Sequence, residues 1–190
     1  ETLGSVTYIC TDKTGTLTEG KFGVVAIETA DDWKQEDALA LAAAIEGDSE
    51  HTIARGIRKS AEERKLSLPA VSDFEAIQGR GARAKRDGQS VYVGGPRLLE
   101  MLKIGLPDKL SQFEQKANEN GQSVVNLVQG GPDGVQVVAV FALADVIRPE
   151  SKLAIEKLHK MGVEVAMLTG DSQAVAKAVA DELGIKTYFA

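Results

Sequence analysis

The sequence predicts an α/β fold, in which a parallel-sheet domain is interrupted by an inserted α+β domain with an antiparallel sheet. One observation is the β-rich segment SVTYIC, Ser5 to Cys10, which runs almost directly into Asp12. A second is the alternation of strand and helix patterns from Arg148 onward, which is typical of parallel βαβ units. The third is the different pattern between these segments, where helical stretches are followed by alternating strands.

The first predicted element is a buried strand that ends beside Asp12. Ser5 to Cys10 lacks helical spacing, as expected for a strand inside a parallel sheet. Ligands bind beyond the carboxyl ends of the strands in such sheets. Asp12 and the hydroxyl-rich residues after it are therefore candidate site residues, and a solvated turn is the alternative interpretation.

The middle of the chain predicts a separate domain over residues 22–143, inserted between arms 1–21 and 144–190. QEDALALAAAIEG and SEHTIARGIRKSAEERK have helical patterns, and Ser49 is the predicted N-cap of the second helix. Strand patterns follow, with hairpin signals at DG and GGPDG and a helix from about Pro107 to Asn120. We therefore expect an antiparallel sheet flanked by helices.

The last arm predicts two helices and two strands. Pro149 suits a first helical turn and Gly162 a C-terminal cap. The strand VEVAML, Val163 to Leu168, then ends in Thr169 to Asp171, and a helix from Gln173 to Leu183 leads to the strand-like KTYFA. This arm and the first one are predicted to share one parallel sheet.

Composition narrows the classes of function. A net charge of −6 argues against nucleic acid as a partner, because phosphate backbones require clustered Lys and Arg. The basic stretch GRGARAKR is either a patch for a small anion or a solvated strand. The single cysteine, Cys10, cannot form an internal disulfide, and no apolar run approaches the roughly 18 to 20 residues that span a bilayer. We expect the chain as given to be soluble.

The motifs DKTGT and TGD predict chemistry on a phosphoryl group. They begin at Asp12 and Thr169, and a parallel sheet would bring them together at one edge. A carboxylate, a lysine, hydroxyls and backbone N–H groups suit phosphoryl transfer, which is mainly a problem of positioning and charge stabilisation. Asp12 is a candidate nucleophile that would form an aspartyl-phosphate.

These motifs resemble those of a known family. DKTGTLT, Asp12 to Thr18, is similar over seven residues to the phosphorylation signature of P-type ATPases, ion pumps built on the haloacid-dehalogenase-like fold. TGD resembles the second phosphate-site motif of that family, and DVIRPES, from Asp145, resembles the segment that leads back into its phosphorylation domain. EGDSEHTIA and GRG are similar to nucleotide-site motifs of the heavy-metal branch, and SEHTIARGI and VYVGGPRLL favour a copper pump.

The resemblance implies a role for each matching residue. Asp12 would accept the phosphate, Thr169 would bind phosphoryl oxygens, and Mg²⁺ would be held by Asp12 and the backbone carbonyl of Thr14. The remaining candidate catalytic residues are Lys13, Gly170 and Asp171. The candidates for holding the ATP adenine and its neighbourhood are Glu46, His51, Gly79 and Gly81.

Structural interpretations stand beside several of these roles. His51 would also suit a helix N-terminus and Glu46 a helix end, while Asp145 and Arg148 would form a structural pair between lobes as readily as they would act in catalysis. Two departures from the family pattern also matter. Thr52 replaces the usual proline after the histidine, and the chain ends before a GDGxND-type loop, so we expect its Mg²⁺ site to lack a carboxylate.

The resemblance also implies partners and a location. It implies a cytoplasmic domain of a membrane pump, in which transmembrane helices and an actuator domain would be partners and the transported metal would bind elsewhere. Two alternatives are a soluble phosphatase of the same fold and an ATP-binding module without catalysis. Such phosphatases generally have a second aspartate two positions after the nucleophile, where this chain has Thr14.

Overall fold

The computed structural model describes residues 8–47, 49, 51–131 and 134–190. Its contacts divide the chain into two compact units. The described residues of the first unit are 8–21, 119–121 and 145–190, and those of the second lie within 22–118 and 122–144. Ala144 and residues 119–121 thus fall on the other side of the boundary from the one that the sequence predicts. The assignment of these units to phosphorylation and nucleotide binding stays a prediction.

The first unit contains a three-stranded parallel sheet with the order β1-β8-β9. Its strands are β1 (Tyr8–Asp12), β8 (Glu164–Leu168) and β9 (Thr187–Phe189), and its helices are α5 (Pro149–Lys160) and α6 (Gln173–Leu183). This confirms the predicted parallel sheet. The first strand includes Asp12 instead of ending before it, and the predicted start of that strand at residues 5–7 lies outside the described residues.

Local signals set the ends of both helices of this unit. Pro149 is the first residue of α5, where its missing N–H costs no hydrogen bond. Gly162 and Gly184 have φ angles of 77° and 71° just after the two helices, in the left-handed region that glycine adopts readily. The apolar faces of α5 and α6 pack on the sheet around the buried Met167 and Val165.

The second unit is built on a six-stranded sheet with the order β2-β7-β6-β5-β4-β3. The pairs from β3 through β7 are antiparallel. The strands are β2 (Thr18–Thr29), β3 (Ser72–Ile77), β4 (Gly81–Arg86), β5 (Gln89–Gly94), β6 (Ser123–Gly131) and β7 (Gly134–Ile147). Asp87 and Gly88 join β4 to β5 with φ angles of 50° and 79°, as predicted for a two-residue hairpin turn. Pro132 and Asp133 of the GGPDG signal lie outside the described residues.

Two pairs of helices cover the two faces of this sheet. The first pair is α1 (Gln35–Ile45) and α2 (Thr52–Glu63), and the second is α3 (Pro96–Leu102) and α4 (Asp108–Glu119). Side chains alternate along β7, so that Phe141 packs with α1 and α2 while its neighbours pack with α3 and α4. No helix among the described residues is long and apolar enough to cross a membrane.

Two details of these helices differ from the sequence-based expectation. The N-cap of α2 is His51, whose Nδ1 accepts a hydrogen bond from the backbone N of Ile53 at 3.4 Å, so the prediction of Ser49 as the cap is wrong. An imidazole nitrogen can replace the usual hydroxyl because it is also a hydrogen-bond acceptor. The short helix α3 was not predicted, since the glycines before Pro96 indicate a loop.

The packing of α2 against β2 generates a test of the fold. Gly56 lies in the interior of α2, where alanine would normally stabilise a helix by about 1 kcal/mol. A Cβ at Gly56 would lie 2.6 Å from the carbonyl oxygen of Phe22, however, and backbone cannot move aside easily. We expect Gly56→Ala to lower the free energy of unfolding by about 1 to 3 kcal/mol in urea denaturation. Gly105→Ala is the control, because nothing lies within 4 Å of its added Cβ; stabilisation by Gly56→Ala would contradict the close approach.

Candidate functional site

The first group of candidate residues lies at one edge of the parallel sheet. Asp12 is paired with Leu168 in the register of β1 and β8, which places Thr169 next to the end of β1. The backbone N of Thr169 donates to the carbonyl of Phe189 at 2.9 Å and so fixes Thr169 at the end of β9. The side chain of Asp12 is exposed and has no hydrogen bond or ion pair with any residue that the structure describes.

Lys13 is the buried centre of this edge. Its side chain is 3% exposed, and its Nζ lies 2.7 Å from Oδ2 of Asp171 and 3.3 Å from Oδ2 of Asp145. A buried ammonium group is unfavourable unless it is paired and hydrogen-bonded. The two carboxylates therefore permit Lys13 to be buried, and they join three segments that are distant in the sequence.

Asp145 also attaches the segment that follows the turn. It accepts hydrogen bonds from Oγ1 of Thr18 at 2.5 Å and from the backbone N of Lys21 at 3.0 Å. Arg148 donates instead to the backbone carbonyls of Thr18 at 3.1 Å and Gly15 at 3.2 Å. Asp145 and Arg148 form no ion pair with each other in the described structure, and both make structural contacts. Each residue separately secures the DKTGTLT segment.

Asp171 connects Lys13 to Thr169. Oδ2 of Asp171 accepts from Oγ1 of Thr169 at 3.0 Å, and the backbone N of Asp171 donates to the same Oγ1 at 3.1 Å. The hydrogen bond from Lys13 is the largest cause that lowers the pKa of Asp171 below its ordinary value, and it outweighs partial burial, which acts in the opposite direction. Asp171 thus acts as an ionised partner of Lys13, while Gly170 beside it is exposed.

The turn Lys13–Leu17 presents Asp12 and Thr14 to solvent. Gly15 has a φ of 81°, a conformation that favours glycine, and the carbonyl of Leu17 accepts from the backbone N of Arg148 and Oγ of Ser151. Within the described chain no group of three or more His, Cys, Asp or Glu side chains is gathered for a metal. Mg²⁺ is commonly bound by one or two carboxylates together with phosphate oxygens and water. The Asp12 carboxylate and the Thr14 carbonyl are suitable oxygen ligands and fit that mode of binding.

The second group of candidate residues lines one cavity in the second unit. The cavity has a volume of about 570 Å³. All four predicted nucleotide-site residues contribute to its wall, namely Glu46, His51, Gly79 and Gly81. Phe74 also lines the cavity and was not singled out by the sequence, whereas Arg80, Gly94 and Gly95 line it and lie within the quoted motifs GRG and VYVGGPRLL. Phe74 is 40% exposed, and the aromatic residue in the segment before GRG was the signal that the sequence offered.

Glu46 and His51 lie at the two ends of the α1–α2 connection. Glu46 is the C-cap of α1 and is 7% exposed, and burial is the main cause that raises the pKa of its carboxyl above the ordinary value. A hydrogen bond with Ser49 and the charges of Arg58 and His51 partly offset this effect. His51 is exposed, and because its Nδ1 accepts from Ile53, a neutral ring has its proton on Nε2. Glu46 therefore ends α1 and His51 begins α2, and both line the cavity.

Glycines bring two backbone segments together beside this cavity. A Cβ at Gly81, whose φ is 138°, would lie 2.0 Å from the carbonyl oxygen of Val93. A Cβ at Gly94 would likewise lie 2.0 Å from the carbonyl oxygen of Arg80. Any other residue at either position would separate the β3–β4 turn from the end of β5. The GRG motif thus has a packing role, whatever the cavity binds.

Comparisons with known proteins agree with this architecture. Residues 6–190 match the family model described as haloacid dehalogenase-like hydrolase. The curated protein named copper-exporting P-type ATPase B of Archaeoglobus fulgidus is 42% identical over 179 residues, which cover 94% of this chain and 25% of that protein. The chain therefore spans about a quarter of the length of the curated relatives it matches.

Two solved structures give the same result. One crystal structure of a zinc-transporting PIB-type ATPase has a TM-score of 0.81 at 34% identity, covering 98% of this chain and 29% of that one. The catalytic domain of the CPx-ATPase CopB-B, from a study of conformational changes upon nucleotide binding, has a TM-score of 0.57 at 28% identity, covering 97% of this chain and 60% of that one. The comparisons confirm the sequence-based prediction of similarity to heavy-metal P-type ATPases and of the haloacid-dehalogenase-like fold.

The pairing of Lys13 with Asp171 generates a titration test. Removing the ammonium in Lys13→Met removes the main cause of the low pKa of Asp171, so we expect that pKa to rise above its wild-type value. NMR titration of the carboxyl carbon measures it directly. Because the folded pKa of Asp171 lies below the unfolded value, the ion pair stabilises the wild-type fold above about pH 3.8 and is lost as the pH falls through the folded pKa.

The control for this titration is a second lysine–aspartate pair. Lys177→Met removes the exposed partner of Asp181 on α6, where Nζ and Oδ2 are 2.6 Å apart. This change should leave the pKa of Asp171 unaltered. An unchanged Asp171 pKa in Lys13→Met would show that the buried ion pair does not control this carboxylate.

Proposed function

The chain belongs to the haloacid dehalogenase-like hydrolase family, and on that basis we propose that it is the ATP-binding and phosphorylation region of a membrane pump that exports a heavy-metal cation. The main support is the environment of Asp12. Its carboxylate is exposed and unpaired within the described structure, while Lys13 beside it in the sequence is paired with both Asp145 and Asp171. A free carboxylate beside a fixed polar frame is the arrangement that a nucleophile requires.

In the proposed reaction Asp12 is phosphorylated by ATP. One carboxylate oxygen of Asp12 bonds to the γ-phosphorus, the bond from that phosphorus to the β,γ-bridging oxygen breaks, and ADP leaves with the electron pair. The hydroxyl of Thr169 and the backbone N–H of Gly170 would orient the phosphoryl oxygens. Mg²⁺ at Asp12 and the Thr14 carbonyl would neutralise phosphate charge when bound. Water would later hydrolyse the aspartyl-phosphate and regenerate the carboxylate.

The cavity of the second unit is the proposed adenine site. Phe74, Ile77 and Val125 provide an apolar wall, and the Glu46 carboxyl and the His51 ring provide polar atoms that would select the base. Gly79 and Gly81 would let the backbone approach it closely. Arg80 lines the same cavity, and its guanidinium has no hydrogen bond or ion pair with the described residues, so it is suited to the phosphates of ATP.

The proposed partners follow from the relatives. We propose that transmembrane helices and an actuator domain belong to the same pump, that this region lies on the cytoplasmic side, and that the transported ion binds outside these 190 residues. Copper is the proposed ion, because the relative at 42% identity is named a copper exporter. Zinc is the competing ion, since one matching structure at 34% identity is of a zinc transporter.

The alternative of a soluble phosphatase has less support. The residue two positions after Asp12 is the exposed Thr14, which cannot act as a general acid and base. Without such a group an aspartyl-phosphate would persist, which suits a transport cycle. The third interpretation, a nucleotide-binding module without catalysis, differs from the proposal only in whether Asp12 becomes phosphorylated.

Nucleotide binding is tested by titrating the chain with ATP while recording amide chemical shifts. We expect the largest changes at Glu46, His51, Gly79 and Gly81, and weaker ATP binding in His51→Gln. The control is His159→Gln, because His159 lies in α5 of the other unit. Largest changes within α4 instead, or equal affinities of the two variants, would place the adenine elsewhere.

Phosphorylation is tested on the intact protein that contains this chain. We expect ATP radiolabelled at its γ-phosphate to give, with Mg²⁺, an acid-stable labelled protein, and Asp12→Asn to abolish the label because an amide cannot form the acyl phosphate. Asp181→Asn is the matched control, since it changes an exposed carboxylate on α6 to an amide. Label that persists in Asp12→Asn would disprove the role of Asp12.

A further inference from the structure

Arg58 binds both parts of the described connection between α1 and α2. It lies on α2, and its Nη1 donates to the backbone carbonyl of Glu46 and, at 2.6 Å, to the backbone carbonyl of Ser49. The connection is otherwise fixed by few hydrogen bonds among its described residues, one of which joins the N of Ser49 to the carbonyl of Glu46 at 3.0 Å. One guanidinium thus joins the end of α1 to the next helix.

The carbonyl of Glu46 accepts from Arg58 as well as from the backbone N of Ser49. It belongs to the last turn of α1, where backbone carbonyls have no partner within the helix. Arg58 is partly buried, so that its hydrogen bonds are better protected from water than those of a surface arginine. Charge-assisted hydrogen bonds of this kind are stronger than neutral ones.

The side chains of this connection face the cavity described above. Glu46, Ser49 and His51 all line it, while Arg58 itself does not. Burial of Glu46 is unfavourable for its ionised form, and a free connection would rotate the carboxylate toward water. Among the described residues, Arg58 contacts this connection at two points and so holds it in place.

We propose that Arg58 is a positioning residue of the nucleotide site, which fixes the α1–α2 connection so that Glu46 and His51 face the same cavity. The inference rests on the proposed function of that cavity. Arg58 acts through Glu46 and His51 and makes no contact with the nucleotide. Its removal is expected to weaken binding without removing any group that touches the base.

The test compares Arg58→Met with Arg58→Lys and Arg55→Met. Lysine retains a charged donor at the same position, and Arg55 is an exposed arginine one turn earlier on α2. Calorimetric titration with ATP should give an affinity about 10-fold lower for Arg58→Met, which corresponds to the loss of about 1.4 kcal/mol. We expect Arg58→Lys to recover part of this loss and Arg55→Met to bind as the wild type does.

A second readout separates positioning from a general loss of stability. The groups whose charges act on Glu46 are Arg58 and His51, and Arg80 lines the same cavity from the β3–β4 turn. Because the charge of Arg58 lowers the pKa of Glu46, NMR titration of the Glu46 carboxyl should show a higher pKa in Arg58→Met. The pKa should return toward the wild-type value in Arg58→Lys.

The outcomes are distinguishable. Wild-type affinity in Arg58→Met would overturn the inference and leave the proposed function intact, whereas no ATP binding by the wild type would overturn both. If Arg58→Met does not fold, the ATP affinity and the Glu46 pKa of Arg58→Lys are compared with those of the wild type instead. An unchanged Glu46 pKa in Arg58→Met, with Arg58→Lys losing as much affinity as Arg58→Met does, would show that Arg58 only stabilises the fold.

Discussion

The buried ammonium of Lys13 is the interaction on which the arrangement around Asp12 depends. Burying one charge requires compensation, and here two carboxylates supply it from near the ends of β7 and β8. The carboxylate of Asp145 also accepts hydrogen bonds from Thr18 and Lys21, and that of Asp171 accepts one from Thr169. An unpaired Lys13 would be unfavourable in this buried position. Its two ion pairs therefore keep three distant segments together at one edge of the sheet. Among the described residues, Asp12 is left as an exposed carboxylate without an ionic partner, which is the basis of its proposed role.

The cavity of the second unit depends on shape more than on charge. Gly81 and Gly94 permit backbone to approach backbone where no side chain fits, and this contact builds the wall of the cavity. The polar side chains come from a different source, namely the ends of α1 and α2. Packing thus determines where a ligand would lie, and the helix ends determine which polar atoms it would meet. The shape of the cavity and its polar side chains can change separately, because the glycines lie in the sheet and the polar residues lie at helix ends.

Helix bounds were predicted well from the sequence where they depend on residues at the helix ends. The helix from Gln173 to Leu183 was predicted residue for residue, because a serine cap precedes it and a glycine with positive φ ends it. The cap of α2 was predicted wrongly, since preference scales favour Ser49 and do not anticipate the ring nitrogen of His51. The partnership of Lys13 with Asp145 joins residues 132 positions apart, and no pattern of spacing indicates it. Phe74 and Gly95 likewise line the cavity because of tertiary contacts, which no local sequence pattern indicates.

The hydrogen bond between the backbone of Lys21 and the side chain of Asp145 has an architectural consequence. These residues flank the second unit on either side, and the donor and acceptor atoms are 3.0 Å apart. The unit therefore leaves the chain and returns to it at almost the same point, through the neighbouring strands β2 and β7. A folded insertion with adjacent ends costs its host about as much closure entropy as a short loop. During evolution the second unit can therefore be replaced, lengthened or shortened with little change to the first unit.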